Sequence, residues 1–528
     1  MKLTLTVACT PLKSAWQGVC RPSLSQIRRL TPLRSGSLRS ALTALLLAPL
    51  TTLHADASPK PAKKPNVIFI LADDLGWGDL GCYGNGRIRT PNLDKLAQRG
   101  TLFTQFYVNG SVCSPSRAAF MTGQFPARNR IHTAINGTRN EKSGTADFLD
   151  PKVYTVTSLL KADGYVTGHF GKWHLAYGPG PSPTEYGVDD HRTYATAKGA
   201  PTWDLVPSEF WPKSSELIVD ETLRFIRANR DKPFYVNLWS IIPHAALNPT
   251  AEQMRPYEKL NFGKAWDRNR GPGIPHKDPH AIYFASVTDL DTQLGRLFRE
   301  LDAMGLHDDT LVVFSSDNGP EVLQSSANGY SAGGSAGPFR GRKRSIYEGG
   351  VRVPFIVSWP GHVPAGRIEN DAIISGVDLL PTVCKLAGTE VPAAHNLDGE
   401  DVSDLLLGAK RARAKPLYWE WRFSITGEPF HRSPMLAMRE GHWKLLMNPD
   451  RSRVELFDIP HDPTELLNVA KDHPEVVQRM SEKLIGWSGR LPPGPLDASA
   501  GKNDYPWPVS KAASADAPKP PAKKGNSK

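Results

Sequence analysis

Apolar residues along this chain gather into short unbroken runs, separated by stretches with helical spacing. Val67-Ile68-Phe69-Ile70-Leu71-Ala72 is apolar throughout, the pattern of a strand covered on both faces. Thr310 to Ser315 and Pro233 to Leu238 read the same way. Between Ala281 and Ala303, Val287, Leu290, Leu294, Leu297 and Leu301 recur at the spacing of one helix face, and Gly305 supplies a stop. Strands alternating with helices predict an α/β sheet with helices on both faces. From about Lys415 the texture changes to short alternating runs, Leu436-Ala437-Met438-Arg439 and Trp443-Lys444-Leu445-Leu446. These predict a small antiparallel sheet, closed by a helix near Pro474 to Trp487. There is no internal repeat.

The two ends follow other rules. Arg28, Arg29, Arg34 and Arg39 precede an apolar run from Ala41 to Leu53, and Ala55 offers a small residue for cleavage. That run is shorter than the ~20 residues needed to span a bilayer, so 1–55 reads as a signal peptide of an exported protein, periplasmic or secreted, without stable membrane insertion. Residues 56–64 read as a flexible linker, and 497–528, rich in Ala, Pro, Lys and Ser, as a disordered tail.

Charge sharpens this division. The net charge is +11, but residues 1–55 carry seven basic residues and no acid, the linker a net +2 and the tail a net +3, leaving 65–496 near neutrality. Nucleic-acid binding needs a basic face on the fold itself, so it is excluded as a function class. After residue 55 only Cys82, Cys113 and Cys384 remain. That is neither a disulfide framework nor a close-spaced zinc set, and the odd thiol is assigned to Cys113.

Candidate chemistry begins where strands end. The first strand runs into Asp73-Asp74, and the strand from Thr310 runs into Asp317-Asn318-Gly319. Ligands of open α/β sheets bind beyond the carboxyl ends of strands. Taken singly, each pair reads equally as an Asx turn. If the strands are neighbours, three carboxylates and an amide converge, and all-oxygen ligands favour calcium or magnesium over zinc. Cys113-Ser114-Pro115-Ser116-Arg117 opens a predicted helix that stops at Gly123. Cys113 then sits at a helix N-terminus, which favours negative charge, with Arg117 one turn on along the same face.

Cys113-Ser114-Pro115-Ser116-Arg117, followed by Gly123 and Arg128, resembles the signature of the sulfatase family, whose cysteine is oxidised to formylglycine. Gly171-Lys172-Trp173-His174, Pro243-His244, Asp317-Asn318-Gly319, and Gly341-Arg342-Lys343 with Glu348-Gly349-Gly350 follow in the family's order. The resemblance runs from about Asn66 to Val469 and is nearest in texture to arylsulfatases and N-acetylgalactosamine-6-sulfatases. It implies the alkaline-phosphatase-like fold: a large mixed, mostly parallel sheet flanked by helices, with a small C-terminal antiparallel sheet and helix. The domains expected are a catalytic domain at 65–414 and a C-terminal subdomain at 415–496.

Carried over by motif, the resemblance implies that Asp73, Asp74, Asp317 and Asn318 hold calcium (magnesium less well), which also contacts residue 113. One hydroxyl of the hydrated formylglycine attacks sulfur, and loss of a proton from the second releases sulfate. Arg117 and Lys172 would stabilise position 113, and His174 would take the proton. His244 and Lys343 would bind sulfate oxygens together with Lys172, with His244 as acid to the leaving oxygen. The implied partners are a sulfated sugar or aryl sulfate and a formylglycine-generating enzyme. Arg342 departs from the usual glycine and is flanked by Arg340 and Arg344; these charges are either substrate contacts or solvated. His132, His191 and Arg192 are either at the substrate entrance or structural. The alternatives are a phosphatase or phosphodiesterase of the same superfamily and a non-catalytic binder of sulfated glycans.

Overall fold

A computed structural model describes residues 63–505, apart from 137–143, 195–201, 204, 206, 245, 261–277 and 323–328. The main sheet contains β1 (Asn66–Ala72), β2 (Thr101–Tyr107), β3 (Val166–Lys172), β4 (Asp190–Tyr194), β5 (Phe234–Trp239), β6 (Thr310–Ser316), β7 (Arg352–Ser358), β8 (Arg367–Glu369) and β9 (Ile374–Ser375). Its order is β4-β3-β5-β1-β6-β7-β2-β8, with β9 also on β2. Only β7 runs against its neighbours β6 and β2; the other pairings are parallel. This is the predicted mixed, mostly parallel sheet.

Alternation explains why β1 reads as apolar throughout. Val67, Phe69 and Leu71 enter one core, and Ile68, Ile70 and Ala72 enter the other, on the opposite face. The long helix Pro279–Ala303 covers the second face with Val287, Leu290, Leu294, Leu297 and Leu301, and ends just before Gly305, whose φ is +67°. The second sheet is a meander of β10 (Leu417–Glu420), β11 (Leu436–Glu440), β12 (Trp443–Met447) and β13 (Glu455–Asp458). Leu417, Trp419, Ala437 and Phe457 join the main core, while Met438, Leu445 and Leu456 pack on Met480, Leu484 and Trp487 of the helix Pro474–Ser488.

A buried ion cluster pins the two sheets together. Lys444 Nζ lies 2.9 Å from both Glu348 and Glu465, all three side chains being fully buried. Glu348 also accepts from Tyr107 (2.7 Å) and pairs with Arg352 (3.2 Å).

The expected signal peptide (1–55) and all but the last two residues of the linker lie outside the described residues. Lys64 pairs with Asp163 at 2.6 Å. Residues 497–505, which composition assigns to the tail, make contacts with the fold. Asp497 N–H donates to Arg422 O, the Tyr505 hydroxyl donates to Ile425 O and accepts from its N–H, and Arg432 lies 3.6 Å over the Tyr505 ring. An aromatic ring and an arginine stack fasten a segment whose surrounding composition is that of free chain. Residues 506–528 lie outside the described residues. Among the described residues no helix is long and apolar enough to cross a membrane.

Candidate active site

The register of β1 on β6 builds the site. Ala72 pairs with Ser316 at the last rung, so the next residues, Asp73 and Asp317, leave the sheet side by side. Asp317 N–H donates to Ala72 O (3.2 Å), Asp74 N–H to Asp317 Oδ1 (3.1 Å) and Leu75 N–H to Ser316 Oγ (2.9 Å). Asp74 takes a left-handed φ of +69°, which turns the chain off the strand. Asn318 Nδ2 donates to Asp74 Oδ1 at 2.7 Å, while its Oδ1 is buried without a hydrogen-bond partner. Gly319 is required here: a Cβ would fall 1.9 Å from Gly349 O. The Glu348-Gly349-Gly350 segment thus backs the Asp317-Asn318 turn directly.

Beyond β2, Cys113 opens the helix Cys113–Thr122, which ends at Gly123 with φ +66°. Its Sγ lies 3.3 Å from Asp73 Oδ1, 4.0 Å from Asp74 Oδ1 and 3.4 Å from Lys172 Nζ. One ligand atom each from Asp73, Asp74, Cys113 and Asp317 lies within 4.8 Å of all the others, as in a second set of Asp73, Cys113 and His244. Burial and the carboxylates of Asp317 and Asp73 push the Cys113 thiol well up, outweighing Lys172 and Lys343. The encoded side chain is a neutral thiol, and the thiolate is the nucleophilic form.

Cations surround the carboxylates. Lys172, the last residue of β3, reaches Asp73 Oδ2 at 2.5 Å. Lys343 Nζ meets Asp74 Oδ2 at 2.7 Å and Glu321 Oε2 at 3.4 Å. Arg117, fully buried, meets Asp317 Oδ2 at 2.8 Å and Asp73 at 3.5 Å, and donates to Lys172 O at 2.8 Å. Its guanidinium therefore serves the carboxylates and the end of β3. Burial raises Asp73, but Lys172, His244 and Arg117 win and hold it well below the usual range. Asp317 goes the other way: burial and Asp73 push it up to about 7 in spite of Arg117.

Two histidines border the cluster. His244 follows β5, is partly exposed, and lies 3.9 Å from Asp74 Oδ2; burial, Lys172 and Lys343 push its imidazole down. His174, two residues after Lys172, has φ +58°, and its Nδ1 is buried without a hydrogen-bond partner. Burial, Lys172 and Arg117 push it well down, so both rings are neutral at neutral pH.

The remaining sequence candidates lie elsewhere. His132 Nδ1 contacts Glu420 of β10 at 2.5 Å, and Arg192 pairs with Glu221 at 2.7 Å, both as packing contacts. His191 sits on β4, which among the described residues is an edge strand paired with β3. Arg342 bonds the carbonyls of Glu321, Ala332 and Gly334; Arg340 bonds those of Phe430 and Glu465 and stacks 3.9 Å over Tyr347. Both are scaffold. Glu321 is the residue that motif reading missed. It is buried, receives Lys343 and Arg344, and accepts from Val322 N–H at 2.8 Å. Its one signal was position, four residues after Asp317 and opposite an otherwise unbalanced Arg-Lys-Arg run.

A strand-end carboxylate cluster on this mixed sheet, facing a helix-terminal cysteine and three cations, defines a hydrolase of the alkaline-phosphatase-like fold. The Sulfatase family model matches residues 65–389, and the model for the N-sulphoglucosamine sulphohydrolase C-terminal region matches 337–488. Human arylsulfatase A is 31% identical over 463 residues, covering 80% of this chain and 87% of its own. The N-acetylgalactosamine-6-sulfatase of Canis lupus familiaris is 28% identical, covering 84% and 90%. Among solved structures, Ps i-CgsB in complex with k-i-k-neocarrahexaose aligns with a TM-score of 0.66 at 27% identity, over 81% of this chain and 93% of that one. The chain belongs to the sulfatase family. It is an enzyme, a sulfuric ester hydrolase, as the motifs implied.

Proposed function

We propose that this enzyme hydrolyses sulfate esters of carbohydrates, with a formylglycine made from Cys113 and a calcium ion held by Asp73, Asp74, Asp317 and Asn318. The observation that carries the reading is the convergence of three buried carboxylates on Cys113 beside an amide oxygen, Asn318 Oδ1, that has no partner. An all-oxygen set with one orphaned acceptor and with Asp317 pushed up to about 7 fits a hard divalent cation. Calcium bound there would supply positive charge to the sulfate oxygens and to residue 113. A hydrated formylglycine would supply one hydroxyl to attack sulfur and a second whose deprotonation lets sulfate leave. A thiol kept neutral by burial supports the need for that conversion by a formylglycine-generating enzyme, and the leading 1–55 segment suits an exported protein.

The chain's own residues then divide the work. Lys172 Nζ, 3.4 Å from Sγ, orients the side chain at 113, and Arg117 fixes the two carboxylates beside it. Lys172, Lys343 and His244 bind the sulfate oxygens. His244 hands a proton to the leaving oxygen, the negative charge of the bound ester opposing the downward shift its ring feels from burial and the lysines. His174, neutral and with an unpartnered ring nitrogen, accepts the proton from residue 113. A carbohydrate substrate is supported by relatives whose names include N-acetylgalactosamine-6-sulfatase and a neocarrahexaose complex. The test is mass spectrometry of the peptide containing residue 113, from the native host, beside turnover of aryl sulfate and aryl phosphate. The expected result is an aldehyde or its hydrate with dominant sulfatase turnover. Unmodified thiol with full sulfatase activity would overturn the formylglycine reading.

A further inference from the structure

Of the three arginines around Lys343, two are consumed inside the fold and one is not. Arg342 ends on backbone carbonyls, and Arg340 on two carbonyls and the Glu455 carboxylate (3.7 Å). Arg344 ends on Glu321, through NH1 at 2.5 Å and NH2 at 3.3 Å. The same carboxylate is 3.4 Å from Lys343 Nζ, which itself lies 2.7 Å from Asp74. Arg344 is therefore one carboxylate removed from the lysine assigned to the sulfate. Its side chain is 27% exposed, against 5% for Lys343, so it is the solvent-facing end of this chain of charges.

Its backbone is held with equal care. Arg344 adopts φ +77°, a conformation an L-residue takes only when its surroundings enforce it, and its N–H donates to Ser111 O at 2.8 Å, two residues before Cys113. Asp74 and the side chain at 113 both act electrostatically on its guanidinium. Lys343 is paired more closely with Asp74 (2.7 Å) than with Glu321 (3.4 Å), so Glu321 is mainly the partner of Arg344. Among the described residues the side-chain hydrogen bonds of Arg344 go to Glu321 alone, so the rest of its five N–H donors have no protein acceptor there.

We propose that Arg344 recognises a second anionic group, a sulfate or a carboxylate, carried by the alcohol part of the substrate beside the ester that is cut. Such a group meets a guanidinium that is always charged and shaped for two-point contact with an oxyanion. A neutral alcohol leaves that guanidinium unused. The inference rests on the placement of Lys343 at the sulfate proposed above.

The test uses two matched pairs of aryl sulfates: meta-sulfophenyl against meta-sulfamoylphenyl sulfate, and meta-carboxyphenyl against meta-carbamoylphenyl sulfate. The matured enzyme is expected to favour an anionic member by about tenfold or more in kcat/KM, the worth of one charge-assisted hydrogen bond. Preference in the sulfonate pair alone identifies a sulfate, in the carboxylate pair alone a carboxylate, and in both an unselective oxyanion site. Arg344→Gln should bring the ratio to within about twofold of unity, whatever it does to absolute rates, and Arg344→Lys should retain part of it. Turnover without preference, or a preference that survives Arg344→Gln, overturns the proposal. No turnover of any of the four esters removes the sulfate reading and this one with it.

Discussion

Glu321→Gln replaces a buried carboxylate by an amide of the same shape and removes its charge alone. Glu321 is 2% exposed and accepts from Lys343, Arg344 and the Val322 N–H. Burial raises its carboxyl, yet Lys343 and Arg344 outweigh burial and bring it down to about 2 from an ordinary 4.5. At about 1.4 kcal/mol per pH unit, that difference is roughly 3 kcal/mol in favour of the ionised form in the folded state. The sign follows from the folded value being the lower one: the contribution is present above the unfolded value and is lost as pH falls through the folded one. Glu321→Gln should therefore unfold with a deficit of roughly 2–3 kcal/mol near neutral pH, shrinking to roughly 1 kcal/mol by about pH 3. Urea unfolding followed by tryptophan fluorescence at both pH values measures it. Aryl sulfate kinetics on the same samples should show a KM raised by up to about tenfold with a smaller change in kcat, since Lys343 keeps Asp74 but loses the charge of its second partner. A deficit that stays constant between the two pH values would refute the reasoning, because shape and not charge would then be responsible.

Three other outcomes are expected. Lys444→Met strands the buried carboxylates of Glu348 and Glu465, each 2.9 Å from Nζ, and should cost about 3–5 kcal/mol by urea unfolding. Lys444→Met combined with Glu465→Gln should recover part of that loss, and strict additivity would show the cluster to be uncoupled. Chelating divalent ions should abolish sulfatase activity and lower the thermal midpoint, with calcium restoring both better than magnesium. At about 100 times its Kd, calcium should return about 2.7 kcal/mol, and a melt insensitive to calcium would remove the metal from the site. His244→Ala should slow a sugar sulfate by about 10²–10⁴ but an aryl sulfate by much less, since the aryl alcohol leaves without a proton. Equal losses on the two substrates would remove His244 from the acid role.

How much of this was legible in the sequence depends on which contacts are local. The strand-end carboxylates were readable because β1 and β6 announce themselves by unbroken apolar runs, and a parallel pair must deliver Asp73 and Asp317 to the same edge. The helix start at Cys113 was readable from Pro115 and Gly123, one at each end. Arg117 was only half readable. Helical spacing puts it on the same face as Cys113, but its guanidinium goes to Asp317, 200 residues away in sequence. The Lys444 cluster joins residues 96 apart, and no local pattern marks Glu348 as its acceptor. The docked segment before residue 506 escaped because composition measures the average of a tail, and Tyr505 and its arginine contact are one point in it. The arginines around Lys343 make the general point. Arg340, Arg342 and Arg344 are equivalent as letters, spaced two apart with the same charge. A cation can be read as scaffold or as site only when its acceptor is known: Arg342 ends on three carbonyls, while Arg344 ends on a carboxylate that Lys343 also approaches.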